Sequence, residues 1–150
     1  MKELLFPALT LAGCCFAGGV AAQTDACGKA LSAPVATVWQ AEGGATGRLG
    51  CPTAAGVTTA KSLSGVVAVE TDFAGGAVLS WPEASAREGQ AFAVSGCLYR
   101  LWFQYGGPSG WLGLPTSQAR NTPDGQRQSF EGGEGWFSRA PNTCRAEKSG

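Results

Sequence analysis

Apolar positions return at helical spacing twice along this chain, at Val35, Val38 and Trp39 and again at Leu98, Leu101 and Trp102. The i, i+3, i+4 spacing puts three side chains on one helix face, so both segments predict a short amphipathic helix. Ser32 stands where the first helix needs a cap, and Pro34 fits its opening turn, where no backbone N–H is required. Each helix runs into a glycine pair, Gly43-Gly44 and Gly106-Gly107, which predicts a left-handed stop that a side chain would resist. Beyond these the pattern becomes strand-like. Val66 to Phe73 should pair with Ala77 to Trp81, and Gln126 to Phe130 with Gly135 to Arg139, each couple joined through glycines. Pro123-Asp124-Gly125 predicts a turn into the second hairpin.

The two stretches repeat one another. Displacing the chain by 63 residues superposes Trp39, Gly43, Gly44, Gly47, Leu49, Gly50, Pro52 and Thr53 on Trp102, Gly106, Gly107, Gly110, Leu112, Gly113, Pro115 and Thr116. Farther on, Phe73-Ala74-Gly75-Gly76 falls on Phe130-Glu131-Gly132-Gly133 at an offset of 57, so the first unit carries six additional residues. Such self-similarity marks one supersecondary unit used twice, and a single unit cannot bury its own core. The expected fold is α+β: a small disulfide-supported domain of two repeated short-helix plus β-hairpin units. Unit one spans about 33–90 and unit two about 94–141, packed face to face so that each covers the other's apolar side.

These residues resemble LGFP repeats, which occur in tandem in exported, envelope-associated bacterial proteins, including the C-terminal regions of mycolyltransferases. The resemblance runs from about Val35 to Pro141 and rests on the Trp, Gly-Gly, Leu-Gly-x-Pro-Thr and Phe-x-Gly-Gly positions. Cys51 and Leu114 stand where the family has its eponymous phenylalanine. What the resemblance implies is attachment to cell-wall or surface glycan.

The start of the chain reads as an export signal over residues 1–22: Lys2, an apolar stretch from Leu4 to Val20, then Val20-Ala21-Ala22, with cleavage after Ala22 leaving a single mature domain, 23–150. Pro7 and the many small residues make that stretch a poor permanent span. An alternative is a lipobox at Leu11-Ala12-Gly13-Cys14, which would tether the protein through Cys14. Cleavage after Ala22 removes Cys14 and Cys15 and leaves Cys27, Cys51, Cys97 and Cys144, an even set that in an oxidising compartment predicts two disulfides. Three pairings are possible; Cys27 with Cys51 and Cys97 with Cys144 would keep each bridge inside one unit. Residues 23 to about 32 and the tail after Cys144 are expected to be poorly ordered unless disulfides pin them.

Charge and composition narrow the function. Eleven basic residues balance eleven acidic ones, so no basic field favours nucleic acid or anionic membranes. The chain has no histidine, which removes the commonest general base and metal ligand. Glu70 with Asp72, and Glu131 with Glu134, are the carboxylate pairs available for glycosidic chemistry, but they read as solvated strand-face and turn charges. No catalytic residue, metal or cofactor is predicted. Among the aromatics, Trp39 and Trp102 belong to the core. Tyr105 and Trp111 fall where unit one has Glu42 and Arg48, which suggests an exposed ring platform, with Arg48, Arg100 and Gln104 as hydrogen-bonding partners for a sugar. The expected partner is a cell-envelope polysaccharide or an envelope protein, met outside the cell or in the periplasm. The alternative is a secreted protein-interaction factor.

Overall fold

A computed structural model describes residues 24–59, 61–81 and 85–150. The expected signal peptide and the alternative lipidation site at Cys14 lie outside the described residues. The chain opens with a hairpin, β1 (Thr24–Ala26) and β2 (Lys29–Leu31), and helix α1 (Ala33–Ala41). A four-stranded antiparallel sheet follows, built from β3 (Val57–Thr58), β4 (Val69–Phe73), β5 (Gly76–Ser80) and β6 (Ala91–Ser95) in that spatial order. Helix α2 (Gly96–Gln104) leads to a second sheet of β7 (Arg120–Thr122), β8 (Gly125–Phe130), β9 (Gly133–Ser138) and β10 (Thr143–Lys148), also in sequence order. The class is α+β, with disulfides Cys27–Cys51 and Cys97–Cys144.

Local chemistry makes the two units alike. Ser32 takes the cap position of α1 in extended conformation, but its side chain makes no capping hydrogen bond; Pro34 sits in the first turn as expected. Both helices end at left-handed glycines, Gly43 at φ 98° and Gly106 at φ 96°, and a single 3-10 turn follows each. Trp39 then donates its indole N–H to the Gly50 carbonyl at 2.8 Å, and Trp102 donates to Gly113 at 2.7 Å. The Leu-Gly-x-Pro-Thr segment is next laced to the Phe-x-Gly-Gly turn. Thr53, Ala74 and Gly75 donate to Asp72, Cys51 and Leu49; Thr116, Glu131 and Gly132 donate to Ser129, Leu114 and Leu112. At Gly75 and Gly132 an added Cβ would lie about 2 Å from the Arg48 and Trp111 carbonyl oxygens, so glycine alone permits this approach.

Two of the expectations change. The expected hairpins are the centres of four-stranded sheets, because an isolated hairpin is marginal in water and each central pair recruits a strand on either side. The third and fourth strands were obscured by their brevity (β3, β7) and by position: β6 lies across the expected unit boundary. The packing is also head to tail and not face to face. On β5 all five residues are buried, and they divide by strand period: Val78 joins α1 in one core with Val35, Ala36, Trp39, Phe73 and Ala93, while Ala77 and Leu79 join α2 in the other with Val94, Leu98, Trp102, Leu112, Leu114 and Phe130. The layers therefore run α1, sheet one, α2, sheet two. With both disulfides closed the ends of the described chain are strands, β1 with β2 and β10, the outcome the disulfide proviso allowed.

Side chains of unit two also close the open edge of sheet one. Gln118 Oε1 accepts from the Ala93 N–H at 2.9 Å, and Gln128 Nε2 donates to the Ala93 carbonyl at 2.8 Å. These amides stand in for a further strand on β6. Gln118 Nε2 also donates to Glu42 at 2.8 Å, tying in the end of α1. Among the described residues, no helix is long and apolar enough to cross a membrane.

The tryptophan bonds give an ordered prediction. Trp102→Phe leaves a buried carbonyl unpaired and should cost about 1–3 kcal/mol, while Trp39→Phe, whose bond is partly open to solvent, should cost less. Urea denaturation of the two oxidised variants decides the matter; equal costs or the reverse order would sink it.

Candidate functional site

The five residues nominated as ligand contacts divide into three places. Arg48 is paired with Glu42, its Nη2 at 2.6 Å and its Nε at 3.0 Å from the same carboxylate oxygen. At the equivalent positions of unit two, Tyr105 and Trp111 meet as a ring pair with centroids 5.1 Å apart. One brace across the glycine turn is thus made twice, as an ion pair and as an aromatic pair. The platform differs from the expected free surface: Trp111 is partly buried against the core, and the Lys148 ammonium lies 5.6 Å from its ring centroid. Gln104 is exposed at the end of α2 and lines none of the cavities described below.

Arg48 and Arg100 do come together. They line a cavity of about 440 Å³ at the junction of the two units, with Arg139, Gln126, Asn142 and Phe137. The first turn of α2, from Ser95 to Leu98, forms another wall. Arg139 is held by donating to the Pro123 carbonyl at 3.2 Å, and Arg48 by Glu42. The Arg100 side chain is exposed and makes no hydrogen bond or ion pair among the described residues. Three guanidiniums, two carboxamides and one apolar ring make a donor-rich cavity within the size range of small-ligand sites, about 300–1,000 Å³. Such a cavity suits a hydroxylated or acidic sugar unit.

Sequence reasoning missed Arg139, Gln126, Asn142 and Phe137. Gln126 and Phe137 are cross-strand partners, a register invisible in a linear pattern. Asn142, at φ 61°, carried a weak signal, since asparagine tolerates the left-handed region better than most residues.

The carboxylate pairs also find their places. Glu131 accepts from Ser64 at 2.7 Å through Oε1 and from the Leu114 N–H at 3.0 Å through Oε2, which ties the 61–66 loop of unit one to the turn of unit two. Glu134 pairs with Arg120 at 3.2 Å. Glu70 and Asp72 lie on the α2-facing side of β4, and neither carboxylate is hydrogen-bonded or ion-paired among the described residues. Burial, and secondarily the Asp72 charge, push the Glu70 carboxyl above its ordinary range. The Tyr99 hydroxyl is raised as well, by burial first and then by Asp72 and Glu70. Among the described residues no group of three or more Cys, Asp or Glu stands ready to hold a metal ion. The chain matches no protein-family model and no curated protein.

Because the folded-state value of Glu70 is raised, its contribution to stability is fully present below the ordinary carboxyl value of 4.5 and is lost as pH rises through the elevated one. Glu70→Gln should therefore melt higher than wild type at pH 7, with the difference closing below pH 4.5. Thermal melts of both proteins across that range test the sign; a gain that grows towards acid would be the wrong outcome.

Proposed function

We propose that this protein is an exported, non-catalytic binding module that attaches to cell-wall or surface glycan through the cavity between its two units. The observation that carries the reading is the cavity itself, which Arg48, Arg100 and Arg139 line together with Phe137. An apolar floor takes the C–H face of a sugar while guanidiniums and carboxamides address its hydroxyl and acidic groups. The absence of histidine and the structural use of Glu131 and Glu134 favour binding over chemistry. Two disulfides fit an oxidising compartment outside the cytoplasm, in line with the signal read in residues 1–22. The resemblance to LGFP repeats points the same way.

A second reading, a secreted protein-interaction factor, is favoured by one observation. Phe103 is 68% exposed and, with Pro108 and Glu70, borders a smaller cavity of about 200 Å³. An unshielded ring beside a recess is the kind of feature protein partners use.

Co-sedimentation of the purified, oxidised protein with isolated cell-wall polysaccharide separates the readings. Wild type should pellet, and Arg100→Ala combined with Arg139→Ala should weaken binding by about tenfold or more, as expected when two charged hydrogen-bond donors are lost. Loss in Trp111→Ala with the arginine variant unaffected would move the site to the Tyr105 and Trp111 pair. No pelleting of wild type would defeat the glycan reading, and capture of one protein partner lost in Phe103→Ser would then establish the second.

A further inference from the structure

Sheet two presents on its open face a line of side chains whose counterpart in sheet one runs from an exposed edge to a buried centre. Arg120 on β7, Arg127 on β8, Trp136 on β9 and Arg145 on β10 are successive cross-strand partners, so they form one row across the whole sheet. In sheet one the same register row is Val57, Glu70, Leu79 and Phe92; Leu79 and Phe92 pack into the core around α2, while Val57 at the edge is exposed. Between the units the row has changed from one acidic residue to three basic ones. The neighbouring row on the open face, Ser129, Glu134 and Glu147, replaces Asp72, Ala77 and Val94 of sheet one.

Ending a stack of layers requires a polar outer face. Three arginines in line go beyond that requirement, because like charges directly opposite on adjacent strands repel, as Arg120 and Arg127 do here. Arg120 is compensated by Glu134 at 3.2 Å. The other two are not: their guanidinium carbons lie 5.5 Å (Arg127) and 5.3 Å (Arg145) from the Trp136 ring centroid, and neither side chain has a hydrogen bond or ion pair among the described residues. Stacking on the indole fixes each guanidinium while leaving its donors unspent. Beside the row opens a cavity of about 260 Å³, closed at one end by the β7–β8 turn at Thr122, Pro123 and Asp124.

We propose that this row is a second binding site, for a polyanionic glycan whose acidic groups are gripped by Arg127 and Arg145. Two strand spacings, about 10 Å, separate those arginines along the row. A polymer with an acid on successive or alternate sugars engages both at once, whereas a single sugar acid engages one. The site shares Gln126 and Phe137 with the junction cavity but none of its arginines, so it stands or falls apart from the function proposed above.

Affinity electrophoresis of the purified protein with both disulfides closed tests it, in native gels cast with polygalacturonate, with fully methyl-esterified polygalacturonate, or with dextran. Wild type should be retarded by the free acid alone, and increasingly so as ionic strength falls. Arg127→Gln with Arg145→Gln should weaken retardation at least about tenfold, two charge-assisted contacts being lost, with an unchanged melting temperature. Lys29→Gln with Lys61→Gln, which removes the same amount of positive charge at exposed positions outside sheet two and outside both cavities, should leave retardation intact. The proposal is overturned if wild type runs alike in all three gels, if the Arg127 and Arg145 variant keeps its retardation, or if the Lys29 and Lys61 variant loses as much. Equal displacement by monomeric galacturonate at matched carboxylate concentration would overturn the polymer as ligand.

Discussion

One hydrogen bond, made twice, organises this protein: an indole N–H from the last full turn of a helix to the carbonyl of a left-handed glycine eleven residues on. It couples a buried ring to a loop that would otherwise carry an unpaired backbone acceptor, which is costly inside a protein. With Trp39 and Trp102 so held, the Leu-Gly-x-Pro-Thr segment is fixed as a platform edge, and the Phe-x-Gly-Gly turn can lace onto it through three backbone bonds in each unit. Tryptophan at these positions is therefore more than core filling. A phenylalanine would bury comparable apolar area and leave the turn carbonyl without a donor.

The stacking order follows from which faces are apolar. Sheet one is a middle layer: Val78 and Ala93 meet α1, and Ala77, Leu79 and Val94 belong to the core around α2. The slot next to Pro52 or Pro115 shows how the units diverged under that constraint. Leu114 fills it with core in unit two, while in unit one Cys51 uses it to fasten the β1–β2 turn through Cys27. Gln118 and Gln128 close the edge at Ala93 and make the two units one body. A neutral chain overall, the protein nonetheless gathers arginines on unit two, around the junction cavity and along the open sheet face. Net charge alone hid that local field.

The sequence by itself determined the repeat-bearing elements. Helical spacing at Val35, Val38 and Trp39, the left-handed stops at Gly43 and Gly106, and the central strands around Phe73 and Phe130 are short-range consequences of side-chain periodicity and glycine's backbone freedom. The α+β class followed from the same local reading, whereas four cysteines allow three pairings and the structure closes Cys27 with Cys51 and Cys97 with Cys144. Only the tertiary structure decided the order of layers, the outer strands, and the site. Strands as short as β3 and β7 have no pattern long enough to read, and β6 became a strand because β5 offers it an edge. Arg48, Arg100 and Arg139 meet through packing between units, and Arg120, Arg127, Trp136 and Arg145 through cross-strand register. Both relations join residues far apart in the chain, and a one-dimensional period carries no information about which distant partner will supply the missing face.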